Sequence, residues 1–289
     1  MSLYEQYKNN YRQIPVVINC RDYVSYTKNL TEYFLRVGFI DIRLLDNDST
    51  YPPLLAWYDS LSGHPHVRVI KLGANKGHHA LWDSNIPQYV ENDMPFFYTD
   101  PDIMPIAACP PDFALAMLKA LDDYPRFTKC GLEIDTDSFS DTFVHKASQL
   151  AFNHLIKSEP LAHEVYASAN DTTLALYRPN SGPCIYCVLL GAPYKIQHLP
   201  WCVDNTVITA EQRYYMDHAK NAVTSLKDPR RTEKFVIDLI RRRNSGETLE
   251  QIFNAKSKNI FAKLRRSVRK RYWRFMDKHD LDKTNYFSA

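Results

Sequence analysis

The sequence predicts an α/β protein built on a mostly parallel sheet with helices on both faces. Three observations lead to this fold class: short apolar runs rich in β-branched and aromatic residues, helical patterns that follow them, and a regular alternation of the two through the first half of the chain. Alternation at this spacing is typical of parallel sheets. We therefore expect ligand-binding residues to gather beyond the carboxyl ends of the strands.

The predicted strands of the first half are short and separated by helical stretches such as PPLLAWYDSL and DFALAMLKALDDY. A further helix is predicted near residues 141–157. The predicted strands cover residues 15–19, 39–46, 66–72, 95–100 and 129–134. Five polar residues end these strands or follow them, and parallel strands would bring all five to one edge: Asn19, Asp46, Asn75, Asp100 and Asp102.

The second half is less regular. EVYASA, TTLALY and CIYCVLL resemble strands that could be antiparallel, and GAPYKIQHLPWCVDN is predicted as a polar loop. Helices are predicted from about Ala210 onward. Cys184 and Cys187 form a C-x-x-C within a strand-like run and lack a second pair for zinc, so we interpret them as core residues.

The composition fits one large domain with an appendage, since 45% of the 289 residues are hydrophobic. The N-terminal residues are polar, and no apolar run approaches the roughly 20 residues needed to cross a bilayer. Six cysteines in a chain of this length indicate reduced thiols, so we expect a cytoplasmic protein. Glycine is scarce, with 8 residues, and neither glycine-rich phosphate motif is present. Any bound phosphates must therefore be neutralised by other means.

The segment FFYTDPDIMP carries the most informative pattern. An apolar strand ends on Asp100 and Asp102, separated by Pro101, and the chain then becomes apolar again. Two carboxylates so near a core are unfavourable unless a cation pairs with them. Oxygen ligands of this kind suit Mg²⁺ or Mn²⁺. The alternative is a turn in which Asp100 caps the strand and Asp102 pairs with an arginine.

Three segments together resemble a known family. RLLDNDSTYPPLLAW, LGANKGHHALW and FFYTDPDIMP are similar, in this order, to the donor half of GT-A glycosyltransferases, close to the family 2-like bacterial enzymes. The resemblance covers residues 14–140 and continues more loosely to about residue 216. It implies a Rossmann-like GT-A domain over residues 1–225, with a donor half at 14–140 and an acceptor half at 141–225. A helical basic extension would follow at 226–289.

The resemblance also implies a set of site residues. Asp100 and Asp102 would hold Mn²⁺ or Mg²⁺ on a sugar diphosphate, with His198 as a third ligand, although packing beside Trp201 is an alternative for His198. The simpler reading of DNDS and NKG is a pair of turns. The residues implied to line the nucleotide-sugar pocket are Asn19, Arg21, Asp22, Asp46, Asn47, Ser49, Asn75, Lys76, Gly77, Asp100 and Pro101.

An inverting sugar transfer also needs a carboxylate base that takes the proton of the acceptor hydroxyl. The candidates are Asp171, Asp137, Glu211 and Asp135. Asp171 matches the family best, and a turn residue is its alternative reading. A retaining enzyme would not need this base.

The C-terminal stretch Lys256–Lys278 carries ten Lys or Arg residues and one acid, Asp277. Apolar residues at four-residue steps mark one helical face. Such a helix can lie on an anionic membrane surface, pack on the main domain or bind nucleic acid, and the last is the least favoured.

The sequence as a whole predicts a metal-dependent glycosyltransferase. We expect a UDP-sugar donor, a glycan or lipid-linked acceptor in surface polysaccharide synthesis, and a peripheral position on the cytoplasmic face of the membrane. Two alternatives remain. One is a sugar nucleotidyltransferase, against which the absence of a glycine-rich basic signature near the first strand argues. The other is a non-catalytic nucleotide- or membrane-binding protein.

Overall fold

The computed structural model describes residues 1–84, 90, 93–218 and 229–254 of the chain. Strands and helices alternate through the first half, as the sequence pattern predicts. The strands are β1 (Val16–Cys20), β2 (Ile42–Asp46), β3 (Val67–Lys71), β4 (Phe96–Thr99), β5 (Ile103–Pro105) and β6 (Lys129–Ile134). The helices are α1 (Leu3–Tyr7), α2 (Val24–Arg36), α3 (Pro52–Ser60), α4 (Ala80–Asp83) and α5 (Phe113–Asp123).

The second half adds shorter strands and the C-terminal helices. The strands are β7 (Pro160–Ala162), β8 (Val165–Ala169), β9 (Ala175–Tyr177) and β10 (Tyr186–His198). The helices are α6 (Lys146–Ile156), α7 (Leu199–Cys202), α8 (Ala210–His218), α9 (Pro229–Asn244) and α10 (Leu249–Asn254).

All strands of the described ranges join one sheet, in the order β3-β2-β1-β4-β9-β6-β10-β8-β7, and β5 pairs with the end of β10. The neighbours β3, β2, β1 and β4 are parallel, as are β6 and β10. Only β5, β8 and β9 of this described sheet run against the other strands. The predicted class, a mostly parallel sheet flanked by helices, is confirmed. In the second half, β8 and β9 are antiparallel to their neighbours, as predicted for EVYASA and TTLALY, whereas β10, which contains most of CIYCVLL, runs parallel to β6.

Alternate side chains of the central strands enter two separate cores, as expected for a sheet covered on both faces. Val16 and Ile18 of β1 pack in the larger core, together with residues of α2, α3 and α5. Val17 points the other way and packs in the smaller core with Leu81 of α4. Because both faces are covered, solvent reaches this part of the sheet at the strand ends.

The prediction of a polar loop over GAPYKIQHLPWCVDN is wrong for its first part, because β10 continues to His198. This strand pairs with β6 on both sides of a bulge that contains Gly191 and Pro193. These two residues interrupt the apolar alternation that would reveal a strand from sequence. At its end, His198 pairs with Ile103, which places the histidine beside the Asp-Pro-Asp segment.

Helices α9 and α10 fall in the stretch predicted as a helical extension, and they pack on the sheet domain. Helix α9 contacts α6, and α10 contacts β8 and β10. Leu239, Leu249 and Ile252 belong to the larger core. No helix in the described ranges is long and apolar enough to cross a membrane. The basic stretch Lys256–Lys278, with its predicted membrane surface, lies outside the described residues.

Candidate active site

The loops that follow β1, β2 and β3 meet at one edge of the sheet. The side-chain amides of Asn19 and Asn47 both donate to the carbonyl oxygen of Gly77, at 3.3 and 2.9 Å. Asn47 also accepts from the backbone amide of Lys76 at 2.6 Å, and Asn75 accepts from the amide of Gly77. Gly77 has a φ of +81°, a conformation that glycine adopts without strain. The structure thus brings these predicted nucleotide-pocket residues together.

Asp22, Asp46 and Ser49 shape the wall of this edge. The carboxylate of Asp22 is fully buried and accepts from the backbone amides of Thr50 and Tyr51, at 2.6 and 3.0 Å. Asp46 accepts from the amide of Ser49 at 3.2 Å, and burial raises the pKa of Asp46. The turn that the sequence predicts for DNDS as an alternative is therefore present. The carboxylates of Asp22 and Asp46 accept hydrogen bonds from backbone amides rather than facing solvent.

Arg21 is placed differently from its neighbours. Its Nε lies 3.5 Å from a carboxylate oxygen of Asp22, but neither Nε nor Nη1 has a hydrogen-bond partner among the described residues. Buried guanidinium donors are rarely left unsatisfied. Arg21 is thus suited to bind an anionic or carbonyl group of a ligand at this edge.

Asp100 follows β4, at the same edge. Its backbone amide donates to the carbonyl of Thr172 at 2.9 Å, and the Thr172 hydroxyl donates to its carboxylate. Burial raises the pKa of Asp100 well above its usual range, and the neighbouring charge of Asp102 adds to this shift. Pro101 separates the two acids and is buried, because its segment turns directly into β5. Sequence reasoning did not identify Thr172.

Asp102 faces His198, whose Nε2 lies 3.8 Å from a carboxylate oxygen. The second carboxylate oxygen of Asp102 and the Nδ1 of His198 have no hydrogen-bond partner in the described part of the chain. Burial lowers the pKa of His198, which favours the neutral imidazole. Its ring also stacks on Trp201, at a centroid distance of 4.0 Å. Carboxylate oxygens beside the Nε2 of an imidazole fit a divalent cation such as Mn²⁺, and the unpartnered oxygen of Asp102 is available to it.

A second group of potential ligands lies nearby. Atoms of His78, His79 and Asp171 that could bind a metal all lie within 4.8 Å of one another. In the described part of the chain, these three residues form the only group of three or more potential metal ligands whose ligand atoms lie this close together. The ligand atoms of Asp100, Asp102 and His198 lie farther apart. Burial lowers the pKa of His79. Sequence reasoning did not foresee that Asp171 lies beside these two histidines.

Lys129 is a further residue that sequence reasoning missed. It begins β6 with its side chain fully buried, and its Nζ donates to the carbonyl oxygens of Asn170, Asp171 and Cys184. Burial lowers the pKa of this amine. Lys129 therefore fixes the backbone that carries Asp171. The only signal in the sequence is a lysine at the head of the predicted strand KCGLEI.

The candidates for the catalytic base differ in their surroundings. Asp171 is exposed at the edge of the sheet, near the mouth of a cavity that Asp100 also lines. The side chain of Asp137 is 87% exposed and lies 3.8 Å from Lys195, which also pairs with Asp135. Glu211 accepts from the backbone amide of Ser25 at the start of α2. Among these candidates, Asp171 is the one that lines the cavity beside Asp100.

Helix α8 lies over the loops that follow β1 and β2. The Tyr214 hydroxyl donates to the carbonyl of Thr50 at 3.0 Å, and the ring of Tyr215 lies 4.5 Å from that of Tyr23. Burial is the main reason that the pKa of Tyr215 is raised to about 12, and the charge of Asp102 is the second. This helix therefore brings a tyrosine from the second half close to the acidic pair.

No protein-family model and no curated protein matches the sequence. Among solved structures, the mannosyltransferase PcManGT from Pyrobaculum calidifontis, in complex with GDP-Man and Mn²⁺, is similar over 57% of this chain and 44% of its own, with 11% identity and a TM-score of 0.38. GalNAc-T7, with UDP, GalNAc and Mn²⁺, is similar over 70% of this chain and 47% of its own, with 13% identity and a TM-score of 0.38. UDP-glucose pyrophosphorylase, complexed with UDP-glucose, covers 65% of this chain and 85% of its own, with 13% identity and a TM-score of 0.34.

The first of these proteins is a mannosyltransferase, and the matched region spans less than half of each of the first two. The third carries a nucleotide sugar as well. The residues of the site, rather than these likenesses, carry the functional proposal.

Proposed function

We propose that this protein is a metal-dependent glycosyltransferase that moves a sugar from a nucleotide-sugar donor to an acceptor hydroxyl. The observation that carries the proposal is the acidic pair at the end of β4. No lysine or arginine of the described residues forms an ion pair with Asp100 or Asp102, and burial raises the pKa of Asp100. Ionised carboxylates in such a place are stabilised by a bound cation.

Asp100 and Asp102 would hold Mn²⁺ or Mg²⁺, with His198 as a third ligand. When bound, the metal supplies the positive charge and Lewis acidity that a departing nucleoside diphosphate requires. The hydroxyl of Thr172 orients one oxygen of the Asp100 carboxylate. The edge formed by Asn19, Asn47 and the Asn75–Gly77 turn would receive the nucleoside. The Nε and Nη1 of Arg21, which have no hydrogen-bond partner in the described structure, would bind one of its polar groups.

In an inverting reaction, the Asp171 carboxylate accepts the proton of the acceptor hydroxyl. The acceptor oxygen forms a bond to the anomeric carbon, while the bond from that carbon to the diphosphate oxygen breaks and the nucleoside diphosphate leaves with the electron pair. Lys129 holds the backbone of Asp171 in place for this step. The exposure of Asp171 allows an acceptor to approach it.

We infer a UDP-sugar donor and an acceptor that is a growing surface glycan, carried on a lipid at the cytoplasmic face of the membrane. Support comes from the resemblance of the RLLDNDST, LGANKG and FFYTDPD segments to GT-A enzymes. The basic amphipathic pattern of Lys256–Lys278 supports the membrane position. Cosedimentation with phosphatidylglycerol vesicles, compared with phosphatidylcholine vesicles, tests that part separately.

The main test is release of nucleoside diphosphate from a panel of UDP-, GDP- and dTDP-sugars, with and without Mn²⁺. We expect slow metal-dependent hydrolysis of one donor, lowered about 100-fold or more in Asp102→Asn. Asp137→Asn is the matched control, since it removes an exposed carboxylate elsewhere. Formation of a nucleotide sugar from a nucleoside triphosphate and a sugar 1-phosphate would instead identify a nucleotidyltransferase.

Manganese binding, followed by electron paramagnetic resonance, tests the metal position. We expect Asp102→Asn to weaken Mn²⁺ binding and the double variant His78→Ala/His79→Ala to leave it unchanged. The reverse result would move the metal to the His78–His79–Asp171 group. No turnover with any donor, together with intact folding, would contradict the proposal.

A further inference from the structure

A cavity of about 290 Å³ lies between the sheet and the helices α6 and α9. Its size is close to the lower limit of ligand pockets, about 300 Å³, and about twice that of an engineered cavity of about 150 Å³ that binds benzene. Most of the wall is apolar. It includes Leu132 and Leu189 from the sheet, Phe152 and Ile156 from α6, and Phe235 and Val236 from α9.

The cavity extends to the candidate active site. Asp100, Asp171 and His198 also line it, so two of the proposed metal ligands and the proposed base contribute to its wall. Trp201, which stacks on His198, forms part of the same wall. A group in the cavity is therefore next to the atoms that the proposed reaction uses.

Two buried side-chain amides in the wall each have one atom without a hydrogen-bond partner among the described residues. Asn153 and Asn170 are each 6% exposed, and both line the cavity. The Nδ2 of Asn153 and the Oδ1 of Asn170 have no hydrogen-bond partner in the described structure. Buried polar groups in native proteins are seldom left unpaired, so one donor and one acceptor are available to a ligand.

The position of Asn170 is fixed by its surroundings. Its Nδ2 donates to the Thr173 hydroxyl at 2.7 Å. Gly131 of β6 makes room for the amide, because a Cβ at that position would lie 2.7 Å from the Asn170 Nδ2. The unpartnered Oδ1 is thus held by the fold rather than by rotation of a free side chain.

We propose that this cavity binds the apolar part of the acceptor, an alkyl or aromatic aglycone, whose one polar group pairs with Asn153 and Asn170. This inference rests on the proposed transfer reaction, because it places the acceptor hydroxyl at the Asp171 carboxylate. That hydroxyl gives its proton to Asp171 and its oxygen to the anomeric carbon, as the bond to the diphosphate breaks. A fully polar sugar fits poorly, since most of its hydroxyls would lose water against apolar walls.

The test is direct binding of n-octyl β-glucoside, 4-nitrophenyl β-glucoside and glucose to the full chain by calorimetry, without donor. We expect the two aglycone-bearing glucosides to bind about tenfold tighter than glucose or better. Val236→Trp, which fills the cavity, should weaken their binding about tenfold. Ile237→Trp is the matched control, because Ile237 is 57% exposed on the same helix and should leave binding unchanged.

Asn153→Leu provides a second test of the cavity in case Val236→Trp does not fold. Replacing an unpaired buried amide with an apolar side chain should not lower the melting temperature. It should weaken binding of 4-nitrophenyl β-glucoside, whose nitro group accepts from Asn153, without weakening binding of n-octyl β-glucoside, whose aglycone has no polar group. Glucosides that bind no tighter than glucose, or binding that Val236→Trp leaves intact, would overturn the inference. Equally tight binding of decanoate would mark a general lipid site and overturn it too.

The two proposals can fail separately. Asp102→Asn should abolish metal-dependent donor turnover and leave octyl glucoside binding unchanged. Glucoside binding without turnover of any donor would contradict the proposed reaction and the assignment of the bound glucoside as its acceptor. The apolar binding site itself would still be supported. Donor turnover without glucoside binding would sink the cavity inference alone.

Discussion

The buried ammonium group of Lys129 donates to the backbone carbonyl oxygen of Asp171 at 2.5 Å, so a lysine at the start of β6 holds the candidate base 42 residues further along the chain. The same nitrogen donates to the carbonyls of Asn170 and Cys184. A lysine without access to solvent satisfies its three donors with three carbonyls, which explains why it is tolerated in the core.

Lys129→Met should therefore lower both stability and activity. The three carbonyls lose their donor, and we expect the free energy of unfolding to fall by about 2–4 kcal/mol. Urea denaturation measures this change. Lys28→Met is the control, because Lys28 is half exposed and its loss should change stability by less than about 0.5 kcal/mol. Equal stability of the two variants would contradict the structural role of Lys129.

Asp171→Asn should separate the candidates for the base. Loss of a general base lowers kcat by about 10²–10⁴-fold, and the isosteric amide leaves the Lys129 contacts to the backbone in place. Asp137→Asn should change kcat less than about threefold, since that exposed side chain does not line the cavity. Initial rates at saturating donor measure both. Full activity in Asp171→Asn would remove it as the base.

Gly77→Ala should weaken donor binding through the backbone. Gly77 has a φ of +81° with no atom near the added methyl group, so the expected cost, about 1–2 kcal/mol, comes from conformation alone. Its carbonyl also joins Asn19 to Asn47. Gly63→Ala is the matched control, with a φ of +75° and equally open space away from the site. We expect similar losses in melting temperature, but a weaker donor Kd only in Gly77→Ala.

Asp41 should make a pH-dependent contribution to stability. Burial works to raise the pKa of Asp41, but the hydrogen bonds and charges of Arg43, at 2.9 Å, and of Arg68 lower it overall. Because the folded-state pKa lies below the unfolded value of about 3.9, the contribution is complete above that pH and is lost as the pH falls through the folded-state pKa. Asp41→Asn should lower stability by about 1 kcal/mol at pH 7, with a smaller difference from the native protein near pH 3.

Chemical denaturation at pH 3, 5 and 7 measures this dependence. Asp59→Asn, on the exposed side of α3, is the control and should leave the pH profile unchanged. A difference between Asp41→Asn and the native protein that stays constant from pH 7 to pH 3 would contradict the assignment.

The sequence predicted the strands that are continuous apolar runs, and β6 has the same bounds in the prediction and in the structure. The edge residues Asn19, Asp46 and Asp100 could be placed together because parallel strands end on one side. The continuation of β10 could not be predicted, since Gly191 and Pro193 interrupt its pattern. Local periodicity carries no information about such interrupted strands.

Contacts between distant residues were also beyond prediction. Glu211 and Ser25, which lie 186 positions apart, meet at the start of α2. The convergence of His78, His79 and Asp171 likewise depends on which strands become neighbours in the sheet. A single sequence contains residue types and short spacings, whereas the contact of Glu211 with Ser25 and the His78–His79–Asp171 group depend on the tertiary arrangement. The roles assigned to the site residues stay predictions for the experiments above.

The packing of α9 and α10 has a practical consequence for anyone who wishes to trim this protein. Val236 and Leu239 on α9, and Leu249 and Ile252 on α10, are almost completely shielded from solvent by the sheet domain. Removing the chain after residue 225 would remove α9 and α10 from α6 and β8. The apolar surface exposed in this way would favour aggregation. Limited proteolysis should accordingly yield a persistent fragment that retains both helices.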